Sequence, residues 1–207
     1  MARLIKLYED NPSEKHLKDI VNVLKNDGLI IYPTDTVYGL GCDINSKKAL
    51  EKIARIKQIK LEKANLSFVC DSLSNLSDYV AQIDSATFKI LKRNLPGPYT
   101  FILEGSKEVP KMMLSKRKTA GIRVPDNVIC EEIVKTLGNP VLSTTASDKN
   151  GNPLKSFAEI YDLYHKLVDI VIDGGEVPNG PSSVISLISD TPAVLREGLG
   201  PADEFII

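Results

Sequence analysis

Histidine and cysteine, the residues on which many catalytic triads and zinc sites depend, are scarce in this sequence. Its 207 residues include two histidines, His16 and His165, and three cysteines, Cys42, Cys70 and Cys130. The cysteines are odd in number and far apart, so they indicate neither a disulfide framework nor a zinc site. Both histidines fall in segments that we predict to be helical, which disfavours a serine–histidine triad and a histidine-ligated metal. We therefore expect no protein-bound metal.

Long apolar runs and an excess of charge of either sign are also missing. No run approaches the roughly 20 apolar residues that span a membrane, and the first ten residues lack the apolar core of a signal peptide. We therefore expect a cytoplasmic protein without a membrane partner. Lys and Arg number 26 against 27 Asp and Glu, a net charge of −1, which excludes a globally basic nucleic-acid binder and leaves any RNA contact to a local patch.

The overall composition is that of an ordinary globular protein. Hydrophobic residues make up 43% of the chain and charged residues 26%, which excludes the disordered, collagen-like and coiled-coil classes. At roughly 150 residues per domain, the length predicts a single domain over residues 1–207.

Apolar periodicities of the helical and strand types alternate along the chain, which indicates an α/β fold. For example, Leu17, Ile20, Val21 and Leu24 form one helical stripe, with Asn11 as the predicted cap and Gly28 just beyond the helix. Further helices are predicted after residue 46 and over residues 71–80, 84–94, 127–137 and 156–167. Strands are predicted at residues 29–33, 66–70, 99–103, 121–124, 140–144, 169–172, 183–188 and 193–196.

Polar residues follow several of the predicted strands, at the positions where open α/β sheets place ligands. Hydroxyl groups and a carboxylate occupy residues 34–36, more hydroxyl groups occupy residues 143–147 and 182–183, and Arg196 follows a late strand. Each segment taken alone is equally typical of a turn or a helix cap. Four of them in one sheet favour a binding site for a phosphorylated ligand.

Six blocks of sequence then resemble, in order, those of the YrdC/YciO family, whose best-described members are threonylcarbamoyl-AMP synthases. The resemblance covers about residues 15 to 200 and is strongest to the YciO-like branch, through residues 108–110 and 116–119. It implies a twisted open sheet of mixed parallel and antiparallel strands with flanking helices and a large positive cavity. The blocks are Tyr32-Pro33-Thr34-Asp35-Thr36-Val37-Tyr38-Gly39-Leu40-Gly41-Cys42-Asp43, Pro96-Gly97-Pro98-Tyr99-Thr100-Phe101, Gly121-Ile122-Arg123-Val124-Pro125, Leu142-Ser143-Thr144-Thr145-Ala146, Ser182-Ser183-Val184-Ile185 and Leu195-Arg196-Glu197-Gly198.

The resemblance implies synthesis of threonylcarbamoyl-AMP from threonine, bicarbonate and ATP, with Mg²⁺ accompanying the nucleotide. The product leads to N6-threonylcarbamoyladenosine in tRNA. By the same resemblance, Thr34 and Thr36 correspond to the loop that holds threonine. Lys57, in Arg55-Ile56-Lys57-Gln58, corresponds to the catalytic lysine of a Lys-x-Arg pair that contacts carbamate and phosphates. The residues implied at the nucleotide are Lys57, Ser143, Thr145, Ser182 and Arg196.

Two positions depart from the synthase pattern. Ile59 stands where the synthases have the arginine of a Lys-x-Arg pair, and Ser147 where they have the asparagine of Ser-x-Asn. Because isoleucine cannot neutralise phosphate charge, we expect weak or altered synthase activity. If residues 57–59 are extended, Lys57 and position 59 share one face.

An alternative is a YciO-type protein without synthase activity that binds a nucleotide, double-stranded RNA or tRNA, or that hydrolyses an adenylate. Lys116, Arg117 and Lys118 form the densest basic cluster, and they are either an RNA contact or simply a solvated loop. The sequence also leaves open whether the protein is a monomer or a dimer.

Overall fold

A single mixed sheet connects most of the chain in the structure, a computed structural model that describes residues 1–60, 66–74, 76–107, 109, 118–154 and 156–206. Within these residues the sheet has ten strands in the order β1-β8-β2-β3-β7-β4-β6-β5-β9-β10. Four of the nine pairings are parallel, namely β1 with β8, β8 with β2, β4 with β6, and β5 with β9. The strands are β1 (Arg3–Lys6), β2 (Ile30–Tyr32), β3 (Gly39–Asp43), β4 (Ser67–Val69), β5 (Tyr99–Glu104), β6 (Thr119–Arg123), β7 (Val141–Thr145), β8 (Ile170–Asp173), β9 (Ser183–Ser186) and β10 (Ala193–Arg196).

Five α-helices lie within the described residues, and local capping explains the ends of several. The Ser46 side chain accepts a hydrogen bond from the Ala49 backbone N–H at 3.0 Å, and Asn127 caps the Cys130 N–H at 2.9 Å. At the other end of that helix, Gly138 adopts φ +83°, a left-handed conformation that stops a helix readily. The helices are α1 (Glu14–Lys25), α2 (Lys47–Lys57), α3 (Ser85–Asn94), α4 (Val128–Leu137) and α5 (Phe157–Tyr164). Among the described residues, no helix is both long and apolar enough to cross a membrane.

The sheet separates two apolar clusters, one on each face. Phe68 and Leu142 belong to one cluster, whereas their strand neighbours Val69 and Val141 belong to the other, as strand alternation requires. The second cluster also contains the apolar stripes of α1 and α4. These helices therefore pack on the same face as Val69 and Val141.

The mixed α/β sheet confirms the fold expected from the sequence, but several local expectations were wrong. Two strands, β1 and β3, were not predicted. Strand β3 contains Gly39 and Gly41 and follows a cluster of hydroxyl residues, a pattern that is typical of a loop. In place of a helix over residues 71–80, the described residues form one 3₁₀ turn, Leu76–Asp78. Ser13, not Asn11, occupies the position that precedes α1, and it forms no side-chain cap bond.

Candidate functional site

Small and hydroxyl-bearing residues form a row across the middle of the sheet. Ser143 of β7 pairs with Gly41 on one side and with Ser67 on the other, and Ser67 pairs with Gly121 of β6. Because paired residues on neighbouring strands lie on the same face, these four occupy one strip on the face that also carries α1 and α4. None of its side chains is larger than serine. We call it the polar strip.

Tyr32 explains why β3 needs its two glycines. A Cβ atom on Gly39 would lie 2.9 Å from both the Ser143 Oγ and the Tyr32 Cε1, and one on Gly41 would lie 2.8 Å from the same ring carbon. The tyrosine ring therefore lies against the backbone of β3 beside Ser143. Any side chain at these positions would push the ring away or close the strip.

On the β9 side of the sheet, Arg196 and Ser182 form one hydrogen-bonded unit with Thr100. The Arg196 Nε and Nη2 donate to the Ser182 backbone oxygen at 3.0 and 2.7 Å, and the Ser182 and Thr100 hydroxyl oxygens are 2.8 Å apart. Burial lowers the pKa of Arg196, and the nearby positive charge of Arg123 lowers it further. The charge of Arg123 therefore acts on the Arg196 guanidinium group.

The Arg123 guanidinium group holds the loop after β2. Arg123, the last residue of β6, donates from Nη2 to the Asp35 Oδ1 and to the Thr36 Oγ1, both at 2.8 Å. Within the loop, the hydroxyl oxygens of Thr34 and Thr36 are 3.0 Å apart, and the Thr34 hydroxyl donates to the Val37 backbone oxygen at 2.6 Å. Burial raises the pKa of Asp35, although the charge of Arg123 opposes that change.

Lys57 contacts the C-terminal end of β7. Its ammonium group donates to the Thr145 backbone oxygen at 2.9 Å and to the Ser147 hydroxyl oxygen. Burial lowers the pKa of Lys57 because it penalises the charged form. The Tyr164 hydroxyl donates to the Ser147 backbone oxygen at 2.9 Å, so the segment that holds the lysine is itself fixed to α5.

A cavity of about 330 Å³ opens beside the 33–38 loop. Among the residues predicted to form the site, only Thr34 is part of its wall. The charged residues of the wall are all acidic, which differs from the large positive cavity that the resemblance implied. The lining residues are Glu9, Thr34, Asp35, Pro98, Asp126, Asn127, Gly174, Glu176, Val177 and Pro178.

Comparisons with known proteins identify the family of this chain. A family model named for Sua5, YciO and YrdC, with the description "Telomere recombination", matches residues 22–198. The chain belongs to the Sua5/YciO/YrdC family. It is 41% identical to YciO of Escherichia coli (strain K12) over the full length of both chains. It is also 31% identical to a threonylcarbamoyl-AMP synthase of Buchnera aphidicola, with 81% of this chain and 96% of the synthase covered.

Solved structures of the Sua5/YciO/YrdC family share the fold. The crystal structure of E. coli YciO superposes with a TM-score of 0.93 over the whole of both chains. The crystal structure of P. abyssi Sua5 complexed with L-threonine gives a TM-score of 0.91 at 25% identity, covering 98% of this chain and 59% of the Sua5 chain. These findings confirm the family resemblance and the expected fold.

The predicted site residues fall into three groups in the structure, and Ser143 is separate from them. Thr34 and Thr36 lie in the loop that Arg123 holds, Ser182 contacts Arg196, and Lys57 contacts Thr145 through its backbone oxygen rather than its hydroxyl group. Ser143 belongs to the strip itself and is buried. That these residues together bind nucleotide and amino acid stays a prediction.

The predicted RNA-binding cluster is only partly described. Lys116 and Arg117 lie outside the described residues. Lys118 is exposed, with φ +56°, and its backbone oxygen accepts a hydrogen bond from the Gly105 N–H at 2.8 Å.

Sequence reasoning missed three residues of the site, namely Asp35, Thr100 and Arg123. All three stand inside sequence blocks that the family shares, but no role was given to them. Arg123 carried the clearest signal, because an arginine that directly follows buried residues of a strand needs a partner in the interior.

Proposed function

We propose that this protein binds ATP and a small amino acid at the polar strip and joins them as a threonylcarbamoyl-AMP synthase does. The substrates would be threonine, bicarbonate and ATP, and the products threonylcarbamoyl-AMP and pyrophosphate. Two findings support the proposal: relatives at 28% and 31% identity are named threonylcarbamoyl-AMP synthase, and a Sua5 structure of the same fold is complexed with L-threonine.

The observation that carries the proposal is the Arg196 guanidinium group beside the Ser182 and Thr100 hydroxyl groups, where the charge of Arg123 is also felt. Arg123 is paired with one carboxylate, whereas the hydrogen bonds of Arg196 within the described residues all go to oxygen atoms of Ser182. Because two like charges disfavour each other, an anion that binds beside them is favourable. Phosphate oxygens suit guanidinium forks and the adjacent Ser182 and Thr100 hydroxyl groups.

The chemistry follows from this donor set. Threonine carbamate would attack the α-phosphorus of ATP through a carbamate oxygen, and pyrophosphate would leave with the electrons of the broken P–O bond. Such a transfer needs positioning and charge neutralisation more than a base. Mg²⁺ would enter with the substrate, bound to phosphate oxygens.

Individual roles can be assigned on the same basis. Thr34 and Thr36 would hold threonine, while Lys57, Ser143, Thr145, Ser182 and Arg196 would face the carbamate and the nucleotide. Lys57 already donates to two oxygen atoms, which fixes its ammonium group near the end of β7. A positioned donor of this kind can stabilise charge that develops on the α-phosphate.

The backbone around Ile59 differs from the extended conformation that we considered from the sequence. Lys57 is the last residue of α2, Gln58 adopts φ +52°, and the Ile59 N–H donates to the Ala54 backbone oxygen at 3.1 Å. A left-handed residue thus turns the chain between Lys57 and Ile59, whose side chain is 38% exposed. We propose that the lost guanidinium makes synthesis slow compared with the synthase relatives.

The direct test is incubation with MgATP, threonine and bicarbonate, followed by detection of pyrophosphate and of the adenylate. Replacing Arg196 (Arg196→Gln) should lower the threonine-dependent release of pyrophosphate by about tenfold or more, because it removes a charge-assisted phosphate contact. Arg55→Gln is the matched control, since Arg55 is exposed on α2. Equal losses in both variants, or no threonine-dependent pyrophosphate, would contradict the proposal.

A gain-of-function variant tests the two departures from the synthase pattern. Ile59→Arg combined with Ser147→Asn should raise the affinity for ATP or the turnover, because it restores a phosphate-binding cation. The comparison requires wild type, Ile59→Arg, the double variant and Lys60→Ala, since Lys60 is the nearest alternative cation in sequence. Robust wild-type synthesis that survives Lys60→Ala would show that the arginine is not needed. Consumption of a supplied adenylate without synthesis would favour the hydrolase alternative.

A further inference from the structure

Four buried polar atoms in the described part of the chain have no hydrogen-bond partner. Two of them, the Asp35 Oδ2 and the Arg123 Nε, belong to side chains that contact each other directly. Buried polar groups are normally paired, so two unpaired atoms in one contact indicate an incomplete network.

The contact between Asp35 and Arg123 is the incomplete part of that network. A guanidinium and a carboxylate can pair through two parallel hydrogen bonds. Here the two side chains, only 8% and 11% exposed, share a single one, from Nη2 to Oδ1 at 2.8 Å. The Oδ2 and the Nε, which a two-bond pair could use, have no partner. The same Nη2 is also shared with the Thr36 hydroxyl oxygen.

We propose that Asp35 is an internal counter-ion that competes with the substrate phosphate for Arg123. In the protein without substrate, Asp35 neutralises a guanidinium that would otherwise be buried without an anion. A phosphate group has more oxygen atoms and more charge to offer, so it can form the paired contact that Asp35 leaves half made. This inference rests on the proposed function, because it takes a phosphate as the anion of the site.

Competition predicts the direction in which the affinity for the anion changes when the Asp35 carboxylate is removed. Because part of the binding energy of the anion is used to displace Asp35, removal of the carboxylate should tighten anion binding, although it leaves Arg123 without a partner in the free protein. A residue with a merely structural role would not produce this pair of opposite effects. The released carboxylate belongs to the loop that carries Thr34 and Thr36, so anion binding would also change the contacts of that loop.

The test measures the binding of inorganic pyrophosphate by titration calorimetry and the thermal unfolding of the full chain. Asp35→Asn should bind pyrophosphate about tenfold more tightly than wild type and unfold at a lower temperature without it. Asp126→Asn is the matched control: Asp126 lies near enough to influence the charge of Asp35, whereas the side-chain hydrogen bonds of Arg123 within the described residues go to Asp35 and Thr36. It should tighten binding clearly less.

A double-mutant cycle separates competition from a general change of charge. In an Arg123→Gln background, Asp35→Asn should no longer tighten pyrophosphate binding, because nothing remains to compete for. Equal tightening by Asp35→Asn and Asp126→Asn, or tightening that persists without Arg123, would overturn the inference while leaving the proposed function intact. If wild type and variants all fail to bind pyrophosphate, both are wrong. If Asp35→Asn does not fold alone, pyrophosphate should restore its folding, and failure to do so overturns the inference.

Discussion

Arg123 illustrates what a single residue contributes to this site. Its guanidinium is nearly buried at the end of β6, yet it holds Asp35 and Thr36, which precede it by almost 90 residues. Burial of a charge is costly, so this arginine must be paired in every state of the protein. The net charge of the site depends on whether Arg123 is paired with Asp35 or with a substrate anion.

Asp35 should make the stability of the protein depend on pH. Burial raises its pKa in the folded state, so the folded protein binds this proton more strongly than the unfolded chain does. The resulting stabilisation is present at low pH and is lost as the pH rises through the folded pKa. Relative to Asp35→Asn, wild type should therefore lose stability as the pH rises above the ordinary pKa of an aspartate side chain, which urea unfolding at several pH values can measure. A difference between the two proteins that stays constant as the pH rises would contradict the expectation.

The sequence could identify some of these residues and not others for a physical reason. Ser182 and Arg196 lie in blocks whose order alone revealed the family, and Lys57 was matched to the lysine of the Lys-x-Arg pair. The role of Asp35 depends on where the Arg123 side chain turns, and that direction is set by the packing of β6 against β4 and β5. No local pattern near either residue contains this information.

At the scale of elements, β3 is the strand that makes the polar strip. It pairs with β2 on one side and with β7, about 100 residues later, on the other. Its glycines gave it the local pattern of a loop, and only the long-range pairing with β7 makes it a strand. Helices α1, α2 and α4 were predicted from their apolar stripes, which are local features, although the predicted cap of α1 was wrong.

Two glycine substitutions should distinguish a loss of stability by overpacking from a loss of ligand binding at the polar strip. In Gly39→Ala, the new Cβ would lie 2.9 Å from the Ser143 Oγ and from the Tyr32 ring, and overpacking of this kind costs roughly 1–3 kcal/mol. In Gly121→Ala, the nearest atoms, on Ile102 and Thr100, are 3.3 Å away. This variant should lose less stability but weaken ligand binding, because it narrows the strip. Urea unfolding and pyrophosphate titration of both variants test this, and equal losses of stability would contradict it.

For the whole molecule, a net charge of −1 conceals an uneven distribution of charge. The charged residues in the wall of the cavity beside the 33–38 loop are all acidic, and one of them, Asp35, is paired with Arg123. Composition excluded a globally basic protein, but it could not show where these charges lie. The strand order was likewise beyond the reach of composition, since it depends on pairings between segments far apart in the chain.

Any RNA binding by the molecule should depend on its densest basic cluster. Replacing Lys116, Arg117 and Lys118 with alanine should weaken the binding of double-stranded RNA or tRNA and reduce its salt dependence by roughly one unit of slope per cation that contacts phosphate. Filter binding at several salt concentrations measures both quantities.

The matched control for RNA binding removes three lysines from α1. Lys15, Lys18 and Lys25 are exposed there, and their replacement changes the net charge by the same amount. This control should leave RNA affinity and its salt dependence nearly unchanged. Equal effects of the two triple variants would place the RNA contact elsewhere or show that it depends on net charge alone.

The two loops beside the cavity, residues 33–38 and 174–179, are joined by hydrogen bonds that each use a main-chain atom. The Asn179 N–H donates to the Thr36 backbone oxygen at 2.8 Å. The Tyr38 hydroxyl group donates to the Gly175 backbone oxygen at 2.7 Å and accepts from the Gly174 N–H at 3.2 Å. Because peptide groups are the same whatever side chain they carry, the spacing of these loops can persist while most of their side chains are replaced. The loops therefore offer a fixed template on which substrate preference can be redesigned.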